Sequence, residues 1–284
     1  MAQQNTDMLD GLQAAVIAEA QKKKENTQEY NFDSLKMYFR EDYFVKDIRI
    51  VQPTIGDILN MGESKFYSGL SPFLYNSTSI RVMLWDLPQR IDWCKVKDIE
   101  VFTRIDVELY KKGMTDTNSS AIRLLFPDYR IEHMQLMQFQ EKESDKPQLC
   151  LYDSENDFIL KESEYMEIAE YIRTLLNIHP KIEKAKGKTT KQWMIDEDKM
   201  NMAQRDEKNT STLLPLISAC INHPGFKYKL QELRDVGIYE FMDSVQRLQI
   251  YESTRALLGG SYSGFADMSK VPKEQFNFMR ELHK

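Results

Sequence analysis

The sequence predicts an α+β protein: a mixed N-terminal domain built around a small antiparallel sheet, followed by an all-helical C-terminal domain. Three observations predict it. From Ile131 to Leu160 the chain reads as short strands, with Ile131, His133, Gln135, Met137 and Phe139 on one face of a period-two pattern. From Tyr165 onward apolar residues recur at three and four, the spacing of helices that bury one face. The 284 residues are 42% hydrophobic and 11% aromatic with only 11 Gly and 9 Pro, which suffices for a core in one large or two modest domains.

Residues 1–28 read as an amphipathic N-terminal arm, with Leu9, Leu12, Val16 and Ile17 at helical spacing ahead of Lys22, Lys23 and Lys24. A docking helix and a frayed terminus are both open for it. The α+β domain spans 29–160. Tyr43, Val45, Ile48, Ile50 and Val51 predict a short hairpin, and Thr54 with Asp57 three residues later predicts a capping box at a helix start. Gly62, Gly69, Pro72 and Asn76-Ser77 are expected to interrupt the next helical stretch, which resumes with Ile80, Met83, Leu84 and Leu87. Val96, Ile99, Phe102 and Ile105 form a core stripe. Strands are expected at 122–126, 131–139, 149–152 and 158–160, separated by turns at Pro127-Asp128 and Asp153–Asn156.

A connecting helix over 161–180 carries Tyr165, Ile168, Ile172, Leu175 and Leu176 on one face and stops at His179-Pro180. Residues 181–208 are expected to be a basic, mobile linker, with five lysines and one glutamate in 181–191, and then a polar helix around Trp193 to Lys208. The helical domain, 209–284, begins with an apolar helix from Leu213 to Ile221 and a turn at Pro224-Gly225. Ile238, Phe241, Val245 and Leu248 then give the best amphipathic signal in the chain, ended by Gly259-Gly260.

No catalytic, cofactor-binding or metal-ligating set emerges. Gly187-Lys188-Thr189 ends like a phosphate-binding loop, but Ile182 stands where that loop needs its first glycine. Gly260–Gly264 is laid out like a nucleophile elbow with Tyr262 in place of the serine, and reads as a flexible turn between helices. His133, His179, His223 and His283 are scattered, and Cys94, Cys150 and Cys220 lie too far apart for a C-x-x-C pair or a disulfide framework. Asp196, Glu197 and Asp198 are adjacent, so their carboxylates point around a helix and read as a solvated face. A net charge of −6 argues against a global attraction to nucleic acid or anionic lipid. The N-terminus does not read as a secretory signal and no run approaches 18 apolar residues, so a reducing compartment is expected unless a larger particle carries the protein out.

The reading that remains is contact with another macromolecule, for which 14 Tyr, 14 Phe and 15 Met supply adaptable apolar side chains. Contact residues are expected at Trp193, Met200 and Met202 on the polar helix and at Tyr262 and Phe265 in the glycine turn, although burial competes as an explanation of Phe265.

The stretches KDIRIVQPTIGDIL at 46–59, LLPLISACINHPGFKYKLQELRDVGIYEFMDSVQRLQ at 213–249 and LLGGSYSGFADMSKVPKEQFNFMREL at 257–282 resemble a group of tailed-phage and prophage proteins encoded among tail genes. Members of that group are labelled tail assembly chaperones or baseplate-hub assembly proteins. The resemblance implies a non-enzymatic role in tail morphogenesis in the host cytoplasm, with tube, tape measure or baseplate components as partners and self-association also open. It carries no active-site residue onto this chain. A structural subunit retained in the virion, and a nucleic-acid module using 181–191, are the alternatives.

Overall fold

The computed structural model describes residues 30–102, 121–131, 134–140, 147–204, 211–263 and 271–282. The arm expected at 1–28, together with Ile105, His133, Phe265 and His283, lies outside them. Two units are distinguished, Met1–Asp33 and Ser34–Lys284. In the described part of the first, the rings of Tyr30 and Phe32 stack with centroids 6.1 Å apart. The second holds every described helix and strand and is α+β, as the sequence predicts.

Helix α1 (Ser34–Tyr38) leads into the expected hairpin, β1 (Tyr43–Val45) with β2 (Ile48–Ile50), in which Tyr43 pairs with Ile50 and Val45 with Ile48. Its two-residue turn forces Lys46 to φ 52°, a region costly for a residue with a Cβ. The Lys46 ammonium offsets that cost by reaching Glu164 at 2.7 Å and the Ile159 carbonyl at 3.1 Å, which pins the turn to the larger sheet. The capping box forms: Thr54 Oγ1 accepts from the Asp57 amide at 3.0 Å, and Asp57 accepts from the Thr54 amide at 2.8 Å. It starts α2 (Ile55–Met61). Gly62, at φ 92°, ends that helix and opens α3 (Glu63–Leu74).

Neither Gly69 nor Pro72 breaks α3, contrary to expectation. A Cβ at position 69 would lie 3.0 Å from the Ala121 Cβ, so Gly69 marks a close helix approach. Pro72 removes the amide that would bond the Ser68 carbonyl, and the Ser71 hydroxyl donates to that carbonyl at 2.7 Å instead. The last carbonyls of α3 are met by buried side chains. Tyr165 Oη donates to the Pro72 carbonyl at 2.7 Å, and Arg173 donates to those of Phe73 and Tyr75 at 2.9 and 3.1 Å.

After α4 (Arg81–Asp86) comes a 3₁₀ turn at Trp93–Lys95 and a helical turn at 98–102 that buries Ile99 and Phe102. The strand expected at 122–126 is instead helix α5 (Ala121–Leu125). A short apolar run does not distinguish the two states, and burial of Ala121, Ile122 and Leu125 against α3 selects the helix. The antiparallel sheet consists of β3 (Gln135–Phe139), β4 (Gln148–Asp153) and β5 (Phe158–Lys161) in that order; Ile131 lies just before it in a helical turn. Helix α6 (Glu162–Leu176) buries all five expected residues and ends on left-handed Asn177, before His179-Pro180 is reached. Around Phe73 the rings of Phe102, Phe126 and Tyr165 close an aromatic centre, with centroids 5.6, 5.6 and 5.8 Å away.

The segment expected to be a mobile linker is a docked strap. Asn76 Nδ2 donates to the Lys181 carbonyl at 2.9 Å, Trp93 Nε1 to the Glu183 carbonyl at 3.0 Å, and the Ala185 amide to Cys94 Sγ at 3.4 Å. Lysine content suggested solvent, but the tie is made by the intervening backbone, which sequence charge does not reveal. Helix α7 (Lys188–Gln204) follows, then α8 (Leu213–Ile221) and α9 (Ile238–Ser263). Gly259 and Gly260 lie inside α9 and do not end it. Ser34–Lys284 is one compact unit, and the boundary expected at 208 lies outside the described residues.

Candidate partner-binding surface

Helix α9 is positioned by backbone pairing at its start. The Ile238 amide donates to the Pro53 carbonyl and the Ile55 amide to the Val236 carbonyl, both at 3.0 Å, so α9 and α2 leave the same point of the body. Its first turns bury Ile238, Tyr239 and Phe241, whereas beyond Ile250 only Thr254 is buried. A helix of 26 residues is about 39 Å long, and its second half projects from the body.

The chain then returns across this half. Thr254 Oγ1 donates to the Gln275 carbonyl at 3.0 Å, and Arg247 Nη1 donates to the carbonyls of Phe278 and Arg280 at 2.9 and 2.8 Å. Between helix and returning segment lies a groove of about 460 Å³ lined by Gly225, Arg247, Leu248, Tyr251, Phe278 and Met279. The rings of Tyr251 and Phe278 meet edge to face at 6.0 Å, and Met279 is 71% exposed at the rim. At 100° per residue Tyr251, Leu258 and Tyr262 share one face of α9, so an apolar stripe runs on from the groove to Tyr262, which is 88% exposed.

The expected contact residues fall on two surfaces. Trp193, 66% exposed, and Met200 are seven residues apart on one outward face of α7. Met202 is exposed as well but lies off that face, in line with Ile195, the one buried residue of the helix. Phe265 is outside the described residues, and Tyr262 stands on a helix rather than in a flexible turn. Arg247, Leu248, Phe278 and Met279 were not among the expected residues, because only the return of the chain brings them together. The signal available in the sequence was the spacing of seven and four from Tyr251 to Leu258 to Tyr262, which continues past the body-facing stripe.

No family model, curated protein or solved structure matches this chain.

The other polar clusters are consumed by the fold. Arg81 forms a bidentate pair with Asp198 at 2.5 and 2.7 Å and reaches Glu183 at 2.6 Å, so Asp198 belongs to an ion pair and not to a solvated acidic face. Lys191 and Lys199 bind Asp92 and Asp86 at 2.7 and 2.6 Å, completing the polar ties of α7. His223 Nδ1 accepts from the Gly225 amide at 3.0 Å, which leaves Nε2 to donate to Glu252 at 3.1 Å; both ring nitrogens are engaged. Burial pushes the thiols of Cys150 and Cys220 up, away from the thiolate a nucleophile needs. Among the described residues no three His, Cys, Asp or Glu converge as metal ligands, and no helix is long and apolar enough to cross a membrane.

Proposed function

We propose that this chain is a non-enzymatic morphogenesis factor for a phage tail, an assembly chaperone that acts in the host cytoplasm and holds a tail component by an apolar segment laid in the α9 groove. The observation that carries the reading is that groove, walled by Tyr251, Phe278 and Met279 and continued by an outward apolar stripe. Such a surface suits an amphipathic helix presented by a partner, whose apolar face would otherwise aggregate. The net charge of −6 keeps a protein with this much exposed apolar surface soluble on its own. The resemblance of 213–249 and 257–282 to proteins encoded among tail genes supports tube, tape measure or baseplate components as the partners, and both stretches contribute to the groove.

The test is affinity capture from cells producing the phage, with the bound proteins identified by mass spectrometry. A product of the same tail-gene cluster should be captured by the wild-type chain and lost with Met279→Arg, a rim substitution compatible with folding. Retention of that product by the variant would refute the groove. Mass spectrometry of purified particles separates the chaperone from a subunit retained in the virion, since a chaperone is absent from them.

One observation favours a second reading. The strap presents Lys184, Lys186 and Lys188 to solvent while the backbone of Glu183 and Ala185 faces the body. A polyanion would meet a short basic edge there. Replacing those three lysines by glutamine leaves the backbone ties in place, and loss of a salt-sensitive nucleic-acid affinity would establish that reading.

A further inference from the structure

We infer that the outer edge of β3 pairs with the same edge of a second copy of this chain, antiparallel about a two-fold axis at Met137, so that two sheets become one. The inference does not draw on the α9 groove. In the sheet order β3-β4-β5 the ladder runs without a bulge from Gln135 opposite Tyr152 to Phe139 opposite Gln148, and among the described residues β3 pairs with no other strand. Alternate residues of β3 therefore turn amide and carbonyl outward, a row that another extended backbone meets in full. The remaining edges differ. On β5 the Lys46 ammonium sits on the Ile159 carbonyl at 3.1 Å, and β1 and β2 are three residues each, with Arg49 in the middle of β2. Charged side chains at an edge and very short strands guard against strand pairing, and β3 has neither guard.

The composition of this edge points to a second copy as its occupant. A two-fold axis sets a strand against itself, so a charge near the axis would face or flank its like. Met134 to Gln140, MQLMQFQ, holds no charged residue in a chain that is 29% charged, so self-pairing meets no repulsion along the strand. Pairing about Met137 sets Met137 against Met137, Leu136 against Gln138 and Gln135 against Phe139 of the second copy, each pair on one face. Leu136 already stands in a cross-strand row with Leu151 and Leu160, both fully buried, and the methylenes of Gln138 from the second copy extend the cover of that row. On the opposite face Met137, 47% exposed, meets its mate through an adaptable thioether.

Five residues span about 17 Å and give about four to six main-chain hydrogen bonds across the axis. One strand edge buries well below the roughly 800 Å² per partner of a tight dimer, so the dissociation constant is on the order of micromolar or above. The two-fold contact is closed: it uses up both β3 edges, and a further copy finds only the β5 edge that Lys46 guards.

Sedimentation velocity and hydrogen exchange over a concentration series test this. The wild-type chain should pass from monomer to dimer while the amides of 135–139 gain protection. Because Met137 lies on the axis, Met137→Lys and Met137→Glu each bring like charges together and should weaken dimerisation about tenfold or more. An equimolar mixture of the two variants sets lysine against glutamate and should form heterodimers, which also shows that both variants fold. Met279→Arg, in the α9 groove, should leave the dimer unchanged. A monomer at every concentration up to about 200 µM, a dimer indifferent to Met137→Lys, a dimer lost with Met279→Arg, or a mixture no better than its components would each overturn the inference. Protection of 135–139 that arises only when another protein is added would assign the edge to that protein and overturn it too.

Discussion

Arg173 joins the two halves of the core. Its side chain is 3% exposed, donates to the carbonyls of Phe73 and Tyr75, and pairs with Glu170 at 2.5 Å and Asp98 at 3.5 Å. Arg173→Ala leaves two carbonyls and the partly buried Asp98 carboxylate without this donor and should cost about 3–5 kcal/mol in denaturant unfolding at neutral pH. Burial already pushes the Asp98 carboxyl up although Arg173 pulls it down. Without Arg173 that folded pKa rises further above the ordinary 3.8, so the penalty for ionising Asp98 grows with pH. The variant's deficit should therefore shrink when unfolding is measured below pH 3.8. Glu63 shows the opposite sign. Burial raises its pKa, but hydrogen bonds from Ser211, Thr212 and Leu213 outweigh that and hold it below the ordinary 4.5. Its contribution is present above 4.5 and lost as pH falls through the lower folded value. Glu63→Gln should thus destabilise at pH 7 and match the wild type in strong acid, a comparison that pH-dependent thermal melting makes directly.

Helix α7 is held more by polar ties than by packing. Ile195 enters a small cluster with Ile80, Leu84, Trp93 and Val101, while Arg81, Lys191 and Lys199 supply the fastening. Arg81→Ala strips Asp198 and Glu183 of their partner, so α7 should open as a unit at a free energy well under that of global unfolding. Hydrogen exchange should rise in peptides from 188–204 and stay unchanged in those from 162–176. The polar composition of this helix was plain from the sequence, and so was its exposure at Trp193 and Met200. What was not legible is the strap before it, because hydrogen bonds to main-chain atoms leave no compositional trace. The same limit explains α5. A five-residue segment with four apolar residues suits either state locally, and burial against α3, with Gly69 close to Ala121, decides it. By contrast the hairpin, the Thr54–Asp57 box and α6 follow from local signals that agree with their tertiary surroundings.

Across the whole molecule, α9 links body and surface. Its first turns are core, its second half is display, and the changeover occurs where the chain's amphipathic stripe rotates from Leu248 to Tyr251, Leu258 and Tyr262. The sequence made the first half visible through its regular spacing. The groove stayed hidden because residues 271–282 return to the helix through Thr254 and Arg247, a long-range contact with no periodic signature. A photo-crosslinking amino acid in place of Met279 tests the docking role most directly, with the same group at Trp193 as the comparison surface. In phage-producing cells the expected result is an adduct between position 279 and a tail-gene product, with none from position 193. Adducts from position 193 alone, or none to any tail protein from either, would contradict it.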